Sequence, residues 1–148
     1  MMQENLIQLY HDYIRDNHPD LLLILQEENR LRDYLHENVA SLDELITQLV
    51  SEEKPIALIE QQCMEELTKP LRPSRYNYLK EILEEDFPTV YERFRQHGIL
   101  TTELINLVTA CDEVFDELNF SEENEDDRYL RYAIIGAVHE YLNSQTRE

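Results

Sequence analysis

Apolar residues recur three and four positions apart along almost the whole chain. Nowhere do apolar and polar residues alternate in the two-residue period of a half-buried strand. That regularity predicts a helical fold. Residues 4–16 place Leu6, Tyr10, Tyr13 and Ile14 on one face. Pro19, suited to a first helical turn, opens a second helix expected to run to about His36, with Leu21, Ile24, Leu25, Leu31 and Leu35 inward. Its first turn is apolar all round, which implies enclosure by neighbours. "SLDE" (41–44) has the form of a capping box, ahead of Leu42, Leu45, Ile46, Leu49 and Val50. Pro55 opens a helix carrying Ile56, Ile59, Cys63 and Leu67, and Pro73 one through Leu79, Ile82 and Leu83.

Gly98 stops a short helix over 89–97, and Thr101 or Thr102 is the expected cap of the next. That helix carries Leu104, Leu107, Val108, Cys111, Phe115 and Leu118. After the polar connection "NFSEENEDD", a last helix presents Leu130, Ile134, Ala137, Val138 and Tyr141. Gly136 sits inside it at a cost of about 1 kcal/mol, which predicts close approach of another helix. The expectation is an all-α, single compact multihelical domain of about eight helices, without a sheet. The break at 51–55 is where an N-terminal helical layer, residues 1–52, would pack on residues 55–148.

At 148 residues, with 42% apolar content, the chain is long enough to build one packed core. Its start lacks the basic-then-apolar order of a signal peptide, and "LLLIL" (21–25) is far shorter than the roughly 18 residues of a membrane span. A soluble, cytoplasmic protein without membrane attachment is expected. Cys63 and Cys111 lie at helical spacing among apolar residues and read as structural thiols.

Signatures of chemistry are sparse. No histidine belongs to a HExxH pair, and Asp33 with His36 is a solitary Asp-x-x-His; no metal is expected. Two glycines in the whole chain leave no phosphate loop and no dinucleotide-binding turn, so no cofactor is expected either. Ser, His and Asp stand in no recognisable elbow or triad, and the chain does not read as an enzyme. The run from Asp112 to Asp127 lacks the central glycine of a calcium loop, and reads as a solvated helix start beginning at Asn124.

One stretch resists a bland reading. The chain is formally −19, yet "KPLRPSRYNYLK" (69–80) holds Lys69, Arg72, Arg75 and Lys80 and no acid. Arg75 and Lys80 fall in the first turns of a helix, where the dipole disfavours positive charge, so an anion is required nearby. Two sources stand open. The counter-charge can be the acidic connection, with Arg72 and Arg75 facing Glu122, Glu123, Glu125, Asp126 and Asp127 in an arginine–carboxylate network. It can instead be an external phosphate or acidic peptide, with Tyr76 and Tyr78 as stacking faces.

"EELTKPLRPSRYNYLKEILEEDF", "GILTTELINLVTACDEVF" and "FSEENEDDRYLRYAIIGAVHEYL" resemble an uncharacterised family of small bacterial proteins, some encoded among genes of conjugative elements. The resemblance covers about 80 residues well, from Cys63 to Tyr141. It implies an all-helical fold and no particular activity. The function expected from these observations is a non-enzymatic helical module that binds another protein, associated with a mobile element. The alternatives are an acidic DNA mimic that inhibits a DNA-binding protein, and a weak nucleic-acid or anion binder using the 69–80 patch, against which the average charge works.

Overall fold

The computed structural model describes residues 2–146. Among them the chain forms nine α-helices and one 3-10 turn, with no strand. It divides into two compact units, Met1–Arg72 and Pro73–Glu148. No helix among the described residues is long and apolar enough to cross a membrane.

The first unit contains α1 (Met2–Asn17), α2 (Pro19–Glu27), α3 (Leu31–Ala40), α4 (Asp43–Ser51), α5 (Ile56–Thr68) and the 3-10 turn Lys69–Leu71. Helix α1 packs against α2, α3 and α5. Leu6, Tyr10 and Ile14 of α1 meet Leu35 and Val39 of α3, Leu49 of α4, and Ile59, Cys63 and Leu67 of α5. Each such side chain contributes about 1.5–3 kcal/mol by leaving water. Residues 51–55 form the α4–α5 turn inside this unit.

Three local expectations are corrected here. The helix expected over 19–36 is two helices, because Asn29 adopts a left-handed φ of 56°. The amide of Arg30 bonds back to Leu25 O and that of Asn29 to Gln26 O, the six-residue and four-residue closures that end a helix. Leu23 and Ile24 of α2 are exposed, so its apolar first turn is not enclosed. The capping box does not form either. Ser41 is still helical (φ −65°, ψ −12°) at the end of α3, and its hydroxyl donates to Asn38 O. Helix α4 then starts after Leu42 without a side-chain cap, because no extended residue separates it from α3.

The second unit contains α6 (Arg75–Asp86), α7 (Pro88–Gln96), α8 (Leu100–Glu117) and α9 (Arg128–Thr146). Ser74 caps α6 by accepting the Asn77 amide at 3.0 Å. The core joins Tyr76, Leu79, Ile82 and Leu83 of α6 to Phe94, to Leu104, Leu107, Val108, Cys111 and Phe115 of α8, and to Leu130, Ile134 and Val138 of α9. Gly98 (φ 69°) ends α7 as its position predicts. Its turn leads directly into α8, so Thr101 and Thr102 lie inside that helix and Ile99 occupies the cap position. Helix α9 begins at Arg128, four residues later than the acidic pattern implied. Both cysteines are buried free thiols, and burial pushes Cys111 up to about 11.

Candidate functional site

The basic stretch is spread over two settings. Lys69 is exposed in the 3-10 turn. Arg72, in the first unit, donates from Nη2 to Glu65 Oε1 at 2.8 Å. Arg75 is the first residue of α6, and its guanidinium forks between two carboxylates one turn apart on α8: Nη1 lies 2.9 Å from Asp112 Oδ1, and Nη2 2.7 Å from Asp116 Oδ1. Its carbon also stands 5.1 Å from the centroid of the Phe115 ring. Burial opposes the charge, but the hydrogen bonds and attraction of Asp116 and Asp112 outweigh it and hold Arg75 above its ordinary value.

The anion that Arg75 needs is therefore internal, although it is not the one expected. Asp112 and Asp116, on α8, take the place of the acids at 122–127. The dipoles account for the choice. A cation at the start of α6 and an anion in the last turn of α8 are each unfavourable alone, and pairing them relieves both. The same device recurs at the other end of α6. Arg131, early in α9, reaches Glu85 at 2.8 Å and Asp86 at 2.6 Å, two acids at the C-terminal end of α6.

The tyrosines are packing residues. Tyr76 is 6% exposed in the core, its hydroxyl 3.5 Å from Thr101 Oγ1. Tyr78 stands edge-on to Phe115 and Phe120, with centroids 5.8 and 5.1 Å apart. Tyr76 is closed to stacking by its burial, while Tyr78 is half-buried and borders the hollow that Glu125, Asp126 and Asp127 line. Lys80, half-buried on α6, makes no ion pair among the described residues.

The acidic connection is organised by Asn124, which the sequence reading placed merely at a helix start. Its amide nitrogen donates to Leu118 O at 2.9 Å and Asn119 O at 3.1 Å, while its oxygen accepts the Ser121 amide at 2.9 Å. Asp127 precedes α9, accepting the Tyr129 amide on its carboxylate and the Arg131 amide on its carbonyl. Glu122 and Glu123 are exposed. Glu125, Asp126 and Asp127 line a hollow of about 270 Å³ with Tyr78, Glu81 and Arg131. Burial pushes the Tyr78 phenol up, Arg131 works against that shift, and the nearby acids add to it.

A second surface escaped the sequence reading. Between α8 and α9 lies an open groove of about 690 Å³, with Ala110, Val114, Ala137 and the ring of Tyr141 as its apolar part and Glu113 and Glu140 beside them. Gly136 is exposed on α9, and a Cβ built there meets no atom within 4 Å. The close helix approach expected at this glycine is therefore absent among the described residues. One and two turns toward the start of α9, Tyr132 and Tyr129 are 59% and 81% exposed. The signal was available: Tyr129, Tyr132 and Gly136 fall off the Leu130–Ile134–Val138 stripe and share the opposite face. Among the described residues, no three His, Cys, Asp or Glu side chains are grouped to hold a metal ion.

No protein-family model matches this chain, and no curated protein or solved structure is significantly similar to it.

Proposed function

We propose that this chain is a non-enzymatic protein-interaction module that engages another protein through its second unit. The carrying observation is the pair Tyr129 and Tyr132, one turn apart on α9 and 81% and 59% exposed. Tyrosine is costly to leave in water and is enriched at the centres of protein interfaces, where its ring is buried and its hydroxyl stays wet. A mobile-element setting for that partner follows from the sequence resemblance alone, since no family model matches the chain.

The test is affinity purification of tagged wild-type protein beside a Tyr129→Ala/Tyr132→Ala variant. A stoichiometric partner that the wild type retains and the variant loses is the expected result. Recovery of the wild type alone under several gentle lysis conditions refutes the reading.

An acidic decoy for a DNA-binding protein draws its support from the charge of −19. It needs an array of carboxylates open to that protein. Asp112, Asp116, Glu85 and Asp86 are already held by Arg75 and Arg131, which favours the interaction module. Direct nucleic-acid binding through residues 69–80 is weakened by the engagement of Arg75 and by the packing of both tyrosines. Titration with labelled single- and double-stranded oligonucleotides at low salt should show no saturable binding.

A further inference from the structure

The geometry points to the α8–α9 groove as the docking site for a basic amphipathic helix of the partner protein. This assignment rests on the interaction-module reading and names the partner's chemistry. Three observations converge on one side of α9.

The first is the groove itself. Its apolar part combines the small side chains Ala110 and Ala137 with Val114 and the ring of Tyr141, and at the two alanines another backbone can come close. A volume of about 690 Å³ accommodates several side chains from one face of a helix.

The second is Gly136. A glycine inside a helix is unfavourable relative to alanine, and here no described residue occupies the space that a Cβ would fill. Its helical position sets it on the same side of α9 as Glu140 and Asn143, which line the groove. A partner backbone crossing at this point gives the missing side chain a physical reason.

The third is charge. Glu113 on α8 and Glu140 on α9 both border the groove, and no basic residue among the described ones lines it. Both carboxylates are exposed and make no ion pair among the described residues. A helix carrying an alanine or leucine stripe flanked by Lys or Arg would seat its stripe on Ala110, Val114 and Ala137. Its cations would then meet Glu113 and Glu140. A second copy of this chain is a poor occupant on the same ground, because a symmetric contact would oppose Glu113 and Glu140 to themselves.

The probe is a labelled synthetic amphipathic helix of about 20 residues, long enough to be helical alone, with a Leu/Ala stripe and Lys flanks. An otherwise identical peptide carries Glu flanks. Fluorescence anisotropy should show saturable, salt-sensitive binding of the Lys peptide and none of the Glu peptide. Glu113→Gln/Glu140→Gln should weaken binding by about tenfold or more, the loss expected for two interfacial charge contacts. Gly136→Ala should raise the thermal midpoint while weakening the peptide, a combination that a purely structural glycine would not give.

Equal affinity for both peptides, no binding of either, or unchanged affinity in both variants overturns the assignment. Concentration-dependent dimerisation abolished by Ala137→Arg would give the groove to a second copy and overturn it as well. The two levels separate cleanly. A native partner that is retained by Glu113→Gln/Glu140→Gln but lost from Tyr129→Ala/Tyr132→Ala leaves the module reading standing and removes the groove. Absence of any partner together with absence of peptide binding removes both.

Discussion

The two units solve the same problem, holding short helices together, with different materials. Ion pairs within the first are local: Arg15 with Asp12 and Asp16, Arg30 with Glu28, Arg72 with Glu65. Its cross-helix polar contacts are hydrogen bonds instead, from Gln3 to Asp43, from Asn5 to Glu60, and between the hydroxyls of Tyr10 and Tyr34. The second unit also has such a local pair, Arg95 with Glu92, but there arginines link helices distant in sequence as well, Arg75 to α8 and Arg131 to the end of α6. Burial drives both units, but in the second Arg75 also selects a register, because its fork fits one pair of carboxylates and misses the next turn, while Arg131 reaches both of its acids from Nη2 alone. The difference predicts which perturbation each unit feels.

The largest effect should come from acid, and in the first unit. His18 sits at the α1–α2 corner, 8% exposed, with Nε2 unpartnered and its ring 5.5 Å from that of Tyr13. Burial lowers its pKa to about 4, from an ordinary value of 6.5. The unfolded chain therefore takes up a proton below pH 6.5 that the folded unit refuses until about pH 4. Stability is intact above 6.5 and falls by about 3 kcal/mol across that window, at about 1.4 kcal/mol per pH unit. Denaturant midpoints measured from pH 7 to 4 should show this slope in the wild type, and His18→Phe should remove its contribution. An unchanged slope in the variant would assign the loss to other groups.

Next in size is Arg75. Its side chain is 30% exposed, and its partners Asp112 and Asp116 are 48% and 70% exposed, so neither the fully buried nor the fully exposed limit applies. Removing a forked, charge-assisted contact and the packing on Phe115 should cost about 1–2 kcal/mol in Arg75→Ala, after allowance for solvent screening. Arg75→Lys should recover less than half of that, since an ammonium cannot span both carboxylates. Equal stability of the lysine variant and the wild type would show that charge alone matters and that the fork selects no register.

These arginines also show what was legible in the sequence. The need for an anion near Arg75 followed from the helix dipole, which is a local property. Which anion answers it is a question of packing, and Asp112 lies 37 residues away. Helices and their buried stripes were readable because 3.6-residue periodicity is written in each segment: Leu104, Leu107, Val108, Cys111 and Phe115 are all buried. Chain reversals were less so. Asn29 ends α2 in the left-handed conformation that asparagine tolerates, in a stretch whose apolar pattern continues past it. Ser41 and Glu44 had the right spacing for a box, but α3 ran on far enough to consume the serine. The helical cost of Gly136 is legible in the sequence, but the close approach it implies is not made by any described residue.

A smaller effect compares two helix ends with one geometry. Glu53 ends α4 at φ 60° and Gly98 ends α7 at φ 69°, each followed by the same six-residue closure, Lys54 to Leu49 O and Ile99 to Phe94 O. Glycine enters this conformation freely, whereas a side chain is strained there by about 1 kcal/mol. Glu53→Gly should therefore stabilise by up to about 1 kcal/mol, and Gly98→Ala should destabilise by a similar amount. Thermal melts of the two variants should move in opposite directions. A shift of the same sign in both would mean that the two turns are not equivalent.

The smallest expected effect sharpens the contrast most. Arg15 makes contacts with Asp16 at 3.0 Å and Asp12 at 3.3 Å, distances close to those of Arg75 with its own partners. Hydrogen bonding between Arg15 and Asp16 raises the guanidinium and lowers the carboxyl from their ordinary values. Contact distance alone would rank the two arginines as equals. Solvent separates them: Arg15 is 54% exposed and Asp16 62%, both ends remain hydrated when the pair breaks, and salt screens what attraction is left. A double-mutant cycle on Arg15→Ala and Asp16→Ala should return a coupling indistinguishable from zero at moderate ionic strength, while the cycle on Arg75→Ala and Asp112→Ala should return a clear one. If the two cycles agree, burial against Phe115 adds nothing to the Arg75 contact, and the second unit is held by the same local forces as the first.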